Sequence, residues 1–315
     1  MVKFFAVLLT IFVLHTSAQA ADKIRIGFPD LSTTFMPLPL AQKRGLFQQE
    51  GLQAEAIRMR GTVALAAMVS GEIDYWTGVG GPVAAAIQGL PVKIVACYMP
   101  GAPTPLIARP EFRSVQELRG RTIGIQIPGG TLHNIAKLIF KHFGLDPDKD
   151  VKFLAVGPNE ARFAAMKQGV VAATLGSEFL GKKMGFVVLA RAYELFSYPD
   201  SGLVASVKKI KERPDEVKRV IRAGIKANRY IHQNREDTIQ FMVEWLKIDK
   251  ELATATYESV WKAFNEDGNI PEDGLRLIIE EAKKAAKVER EVSINEVADP
   301  SILKEAQKEL GIKGK

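Results

Sequence analysis

Apolar positions along the chain follow two different periods. Up to about residue 207, short apolar runs recur between loops rich in glycine, threonine and proline. These runs are Lys23 to Phe28, Leu52 to Met59, Ile73 to Thr77 and Val92 to Met99, then Thr122 to Ile127, Val151 to Val156, Val171 to Leu175 and Phe186 to Ala190. Runs of this length bounded by turn residues predict buried strands. Helical stretches stand between them, including Pro39 to Phe47, a helix that Pro82 opens at its favoured first position, and Thr131 to Phe143. Such alternation predicts mainly parallel sheets with right-handed crossovers. From Pro214 onward the period is helical throughout. Val217, Val220, Ile221 and Gly224 form one stripe, Ile239, Met242, Val243 and Leu246 a second, Tyr257, Val260, Trp261 and Phe264 a third, and Pro271 starts a fourth helix. Trp245 and Trp261 fall in these stripes and are assigned to packing.

The first part repeats itself. Ala66-Ala67-Met68-Val69-Ser70-Gly71 and Ala164-Ala165-Met166-Lys167-Gln168-Gly169 align at one offset, which Gly78 and Gly176 keep. Outside them, Ile24 to Pro29 resembles Ile123 to Pro128, and Gly89-Leu90-Pro91-Val92 resembles Gly185-Phe186-Val187-Val188. Ordered matches over this span predict two lobes of one layout. The Pro-rich stretch Pro103 to Pro110 suits a first crossing between them, and Tyr198 to Val207 a return. The expected division is a leader over 1–20, a first lobe from 21–106 and 206–315 carrying the helical tail, and a second lobe over 107–205 with crossing segments at its ends.

Composition narrows the class. At 315 residues, 47% apolar and 25% charged, the chain suits a globular protein with a substantial core rather than a disordered or fibrous one. Its start, with Lys3, an apolar run from Phe4 to Leu14 and small residues at Ala18 and Ala20, reads as a cleaved secretory signal peptide; the run is too short to span a bilayer. No cysteine follows it for lipid attachment, so a soluble protein of the periplasm is expected. Forty-three Lys and Arg against 36 Asp and Glu give a net charge of +7. Export and the scatter of basic residues over separate helices, without interleaved aromatics, argue against nucleic acid as a partner.

Catalytic and metal patterns are few. Cys97 is the single cysteine, which excludes an intrachain disulfide, and it lies inside an apolar strand where a buried thiol is the ordinary outcome. His133, His142 and His232 show no metal-ligand spacing, and neither a Gly-x-Ser-x-Gly elbow nor a phosphate-binding glycine loop occurs. No catalytic residue, metal or cofactor is expected. The informative residues follow the strands instead, because ligands of open α/β sheets bind beyond the carboxyl ends of strands, near helix N-termini. In the first lobe these are Ser32, Thr33, Thr34 and Phe35, then Arg60, Gly61 and Thr62, then Gly80, Gly81 and Pro82, and Tyr98. In the second they are Gly129, Gly130 and Thr131, Asn159, and Ser177 with Glu178. Small residues let a ligand approach the backbone, and Arg60 suits a bidentate pair with a carboxylate or sulfonate. Each loop also has a purely local explanation: the Gly-Gly stretches and Asn159 as helix caps, Arg60 as a solvated charge, Glu178 as a cap after Ser177.

Several of these segments carry a family resemblance. Leu40-Ala41-Gln42-Lys43-Arg44-Gly45-Leu46-Phe47 with Glu50-Gly51-Leu52, Ala67 to Asp74, Gly89 to Val92 and Gly130-Thr131 occur in an order similar to that in periplasmic substrate-binding proteins of ABC importers for sulfonates, nitrate, taurine and thiamine-pyrimidine precursors. The resemblance covers residues 21–315. It implies a class II periplasmic-binding-protein fold of the α/β class: two lobes, each a mainly parallel sheet flanked by helices, joined by two crossings that close over one small molecule. It also implies a monomer that delivers this molecule to a membrane permease. The same fold resembles that of desulfinases and of a pyrimidine-forming enzyme, and a receptor for a membrane sensor would look alike, so these stand as alternatives to transport. A small, organic anion is the expected ligand, with a neutral heterocycle second.

Overall fold

The structure is a computed structural model that describes residues 21–313; the expected signal peptide lies outside the described residues. The chain runs β1 (Asp22–Phe28), α1 (Pro37–Lys43), β2 (Leu52–Arg58), α2 (Gly61–Ser70), β3 (Tyr75–Gly78), α3 (Gly80–Ile87) and β4 (Val92–Met99). It continues through β5 (Pro105–Ala108), β6 (Thr122–Ile125), α4 (Thr131–His142), β7 (Lys152–Ala155), α5 (Asn159–Lys167), β8 (Ala173–Leu175), α6 (Glu178–Lys183) and β9 (Val187–Arg191). After α7 (Ala192–Leu195) come β10 (Ser201–Ser206), α8 (Val207–Glu212), α9 (Pro214–Gln233), α10 (Arg235–Leu246), α11 (Lys250–Val260), α12 (Glu272–Ala286), α13 (Ile294–Val297) and α14 (Ser301–Glu309).

Two five-stranded sheets result, ordered β2-β1-β3-β10-β4 and β7-β6-β8-β5-β9. The orders are the same once β6 to β9 are matched with β1 to β4, which is the repeat read from the sequence. In each sheet one strand runs against the others: β10 is antiparallel to β3 and β4, and β5 to β8 and β9. These are the strands that follow the two crossings. β4 and β9 end at the edge facing the other lobe, so the next strand starts at that edge and must run away from it. The crossings are therefore residues 100–104 and 192–200. Sheet membership differs from the expected ranges at both: Pro105 and Leu106 lie in the second sheet, and Ser201–Ser206 is a full member of the first.

Both faces of each sheet are covered. On one side of the first sheet, Ile24, Ile26 and Val95 pack with Leu38 and Leu40 of α1, Val217, Ile221 and Ile225 of α9, and Leu303 of α14. On the other, Ile94 and Val204 meet Met68 of α2, Val83 and Ile87 of α3, and Leu275 and Ile279 of α12. The second sheet is likewise flanked, by α4 through Ile135, Ile139 and Phe140 and by α5 through Phe163 and Met166. The tail packs on the first lobe through α9 and α14, and α11 also packs on α6 of the second.

Tyr98 shows how tightly the first core is fitted. Its ring is 1% exposed and stands where a side chain on Gly224 of α9 would project, with ring atoms 2.1–2.5 Å from an ideal Cβ there. The expectation that Tyr98 faces a ligand is thus corrected: on this strand the ring points into the helical layer. Its hydroxyl has no hydrogen-bond partner in the described structure. Gly224→Ala should cost about 1–3 kcal/mol by overpacking, read as a lower urea midpoint with an unchanged slope.

Candidate ligand cleft

The loops after β1, β2 and β3 of the first sheet, the turn before β10 and the start of α4 in the second lobe border one space. A cleft of about 770 Å³ is lined by Pro29, Phe35, Arg60, Gly61, Trp76, Gly78, Gly80, Gly81, Pro82 and Asp200 of the first lobe and hinge, and by Thr131 of the second. Phe35, Arg60, Gly61, Gly80, Gly81, Pro82 and Thr131 are thus brought together as the sequence suggested. A second cavity of about 680 Å³ lies between α2 and α8 at the opposite edge of the first sheet and shares no residue with these loops.

Glycine does different work at different points. At Gly80 and Gly81 a Cβ would meet nothing within 4 Å, and neither needs positive φ; the space they leave belongs to the cleft. Gly78 instead makes room for Trp76, whose Nε1 is 2.9 Å from an ideal Cβ there, and Gly27 does so from beneath at 2.8 Å. The indole is thereby packed against the backbone at both glycines, 3% exposed, where it borders the cleft. Gly129 takes φ +72°, and its N–H donates to His133 Nδ1 at 2.8 Å, so the turn before α4 is held from within. Gly130 is the N-cap of α4. His133 is half-buried with its ring edge on Phe153, and burial, with Lys137 adding, pushes it below its ordinary value. It organises the turn.

Other expected residues act behind the surface. Thr34 is buried and its hydroxyl donates to Asp200 at 3.2 Å. Ser32 accepts, through its carbonyl, the indole N–H of Trp245 at 3.2 Å, and Trp245 also stacks on Phe241 and lies tilted against Phe28. Trp245 therefore packs, as expected, and also fixes the loop that carries Thr33 to Phe35. Thr62 occupies the first turn of α2 beside Arg60 and Gly61.

In the second lobe Ser177 accepts from Leu180 N at 3.4 Å, an N-cap. Glu178 is committed to Arg191, which donates to both its oxygens at 2.9 and 2.7 Å, and to Lys182 at 2.7 Å. Burial pushes its carboxyl up, but the two cations outweigh that and hold it below the ordinary range. A role toward ligand is corrected accordingly: its charge is spent inside the lobe. Asn159 is not the cap, which is Pro158; its carbonyl accepts instead from Arg162 at 3.4 Å. Arg162 is 3% exposed and bonds only neutral acceptors, Thr174, Gly157 O and Leu175 O besides Asn159. It ties the loops after β7 and β8 together.

Two charges face the cleft. Arg60 is the N-cap residue of α2 and its side chain is exposed there. Asp200 is half-buried at the second crossing, just before β10, with its N–H on Met99 O at 3.0 Å. Burial pushes its carboxyl up to about 6, Asp30 adding to the rise and the Thr34 hydroxyl opposing it. Sequence alone gave no sign of Asp200, because it sits in a turn of the return crossing and faces the cleft only once β10 is seen to join the first sheet.

Residues 32–238 match the family model described as NMT1/THI5 like. The chain belongs to the NMT1/THI5-like family. A protein of Brucella abortus strain 2308, named without a ligand as a binding protein, is 28% identical over 221 residues, 67% of each chain. Among solved structures, the periplasmic sulfonate-binding protein SsuA of Methylobacillus flagellatus KT superposes with a TM-score of 0.74 at 16% identity, covering 94% of this chain and 97% of that one. The periplasmic nitrate-binding protein NrtA of Synechocystis PCC 6803 gives 0.63 at 15% identity, covering 93% and 90%. At these identities the likeness is one of fold, and that fold is the α/β periplasmic-binding-protein fold.

The raised carboxyl of Asp200 has a measurable consequence. Its folded pKa lies above the unfolded value of 3.8, so its ionisation costs stability. That cost is absent below about pH 4, grows as pH rises toward 6 and is constant above. Asp200→Asn should therefore match the wild type in unfolding free energy at pH 4 and exceed it by up to about 3 kcal/mol at pH 7, as read from urea unfolding across this range.

Proposed function

We propose that this protein is an extracytoplasmic solute receptor that captures a small organic acid in the cleft between its lobes and hands it to the permease of an ABC importer. The observation that carries this reading is the cleft itself: three strand-end loops of the first lobe and Thr131 of the second border one volume, with Arg60 free to face an anion and two exposed glycines leaving the backbone of α3's first turn open. The bound names of the structural relatives, a sulfonate-binding and a nitrate-binding protein, agree with an acidic ligand. The leader-like start and the periplasmic relatives support the compartment.

Mechanistically, contacts from both lobes favour a closed state, and the closed complex is what the permease meets. Capture needs no bond to be broken. Cys97 supports the same view against a desulfinase-like enzyme: its thiol is fully buried in β4, donates to Ser201 O at 3.4 Å and is pushed by burial far above its ordinary value. A nucleophile needs the opposite surroundings. The protein is read as a monomer without cofactor.

A thermal-shift screen against sulfonates, carboxylates, nitrate and pyrimidines tests the reading, since a ligand at 100 times its Kd adds about 2.7 kcal/mol of stability. A saturable shift with the compound recovered unchanged is expected; its consumption would mean an enzyme. For an acidic hit, Arg60→Ala should weaken binding at least about tenfold, some 1.4 kcal/mol. An unchanged Kd in calorimetry would remove Arg60 from the site.

A further inference from the structure

Asp200 is out of place in a cleft built only for anions. It lines the same cavity as Arg60, Phe35 and Trp76, and a carboxylate fixed there repels an acid that Arg60 attracts. Several other carboxylates of the first lobe are answered by cations: Asp22 by Arg213 and Arg219, Glu50 by Arg222 and Lys226, Asp74 and Glu216 by Lys209. Asp200 receives one hydroxyl, from Thr34, and the charge acting on it is a second acid, Asp30. Arg60 does not answer it either, although both face one volume. A partly buried carboxylate left in this state is costly, and it is relieved by a cationic donor arriving from outside. Trp76 and Phe35 line the same cavity, and aromatic rings suit a positively charged nitrogen as well.

We infer that the cleft selects an amphoteric small molecule, one that sets a protonated nitrogen against Asp200 while its acidic group turns toward Arg60. The inference rests on the receptor reading above and narrows its ligand class. A plain acid leaves Asp200 unanswered and a plain amine leaves Arg60 so; specificity against both follows from the same pair of charges. Because Asp200 is anchored at the start of β10, where the chain returns to the first lobe, the nitrogen would be held next to the crossing about which the lobes close.

Matched probes that differ only in the ammonium group test this: taurine against ethanesulfonate, 3-aminopropanesulfonate against propanesulfonate, and β-alanine against propionate, titrated calorimetrically into the purified protein and its Asp200→Asn and Asp200→Glu variants. In at least one pair the ammonium compound should bind at least about tenfold more tightly. Asp200→Asn should bring that ratio toward one, whereas Asp200→Glu should keep its direction. Equal binding within every pair, or tighter binding of the plain acids, overturns the inference and leaves the organic-acid receptor standing. A preference that survives in Asp200→Asn places the nitrogen elsewhere and also overturns it. Absence of binding by every member overturns both readings together.

Discussion

Chain direction at the inter-lobe edge governs this protein. Eight of the strands end there, and a chain that leaves one sheet at that edge enters the other at the same edge, so β5 and β10 have to run backwards. The loops after β1, β2 and β3, the N-termini of α2 and α3, the start of α4 and the turn before β10 are brought by this arrangement to one cleft. The cleft is thus a consequence of topology before any side chain is chosen. It also explains why the two sheets share one strand order, each with a reversed member supplied from across the gap.

Side-chain chemistry then separates the two rims. The second lobe keeps its charge to itself: Glu178 is held by Arg191 and Lys182, and Arg162 spends its donors on carbonyls and hydroxyls of its own loops. Such closed networks give rigid walls. The first lobe and the return crossing leave Arg60 and Asp200 turned to the open volume. In the proposed receptor, the unanswered charges make the first lobe the side that sets ligand identity, with Thr131 bordering the same volume from the second.

Much of the architecture was legible beforehand because burial on both faces leaves a plain trace. The apolar run Val92 to Met99 coincides with β4, Thr131 begins α4, and the stripe opened by Pro214 is α9. The duplicated Ala-Ala-Met segments fall on α2 and α5, matching helices of the two lobes. Orientation was harder. Period-two reasoning cannot tell which face of a doubly covered strand meets the cleft edge, and Tyr98 went to the helical layer because Gly224 makes a seat for it. Long-range partners were invisible for the same reason: nothing near Glu178 announces Arg191, and nothing near Ser32 announces Trp245, which lies far along the chain. Asp200 was the most consequential of these. Its role depends on where a crossing lands, and a proline-flanked turn carries no periodicity to show it.

Capture as proposed requires the two lobes to close about their crossings over one bound molecule. Small-angle X-ray scattering of the purified protein, with and without a saturating compound that raises its melting temperature, tests that most directly. A smaller radius of gyration in the bound state, reversed on dialysis, is the result expected. An identical scattering curve with the ligand shown to be bound would contradict capture between the lobes.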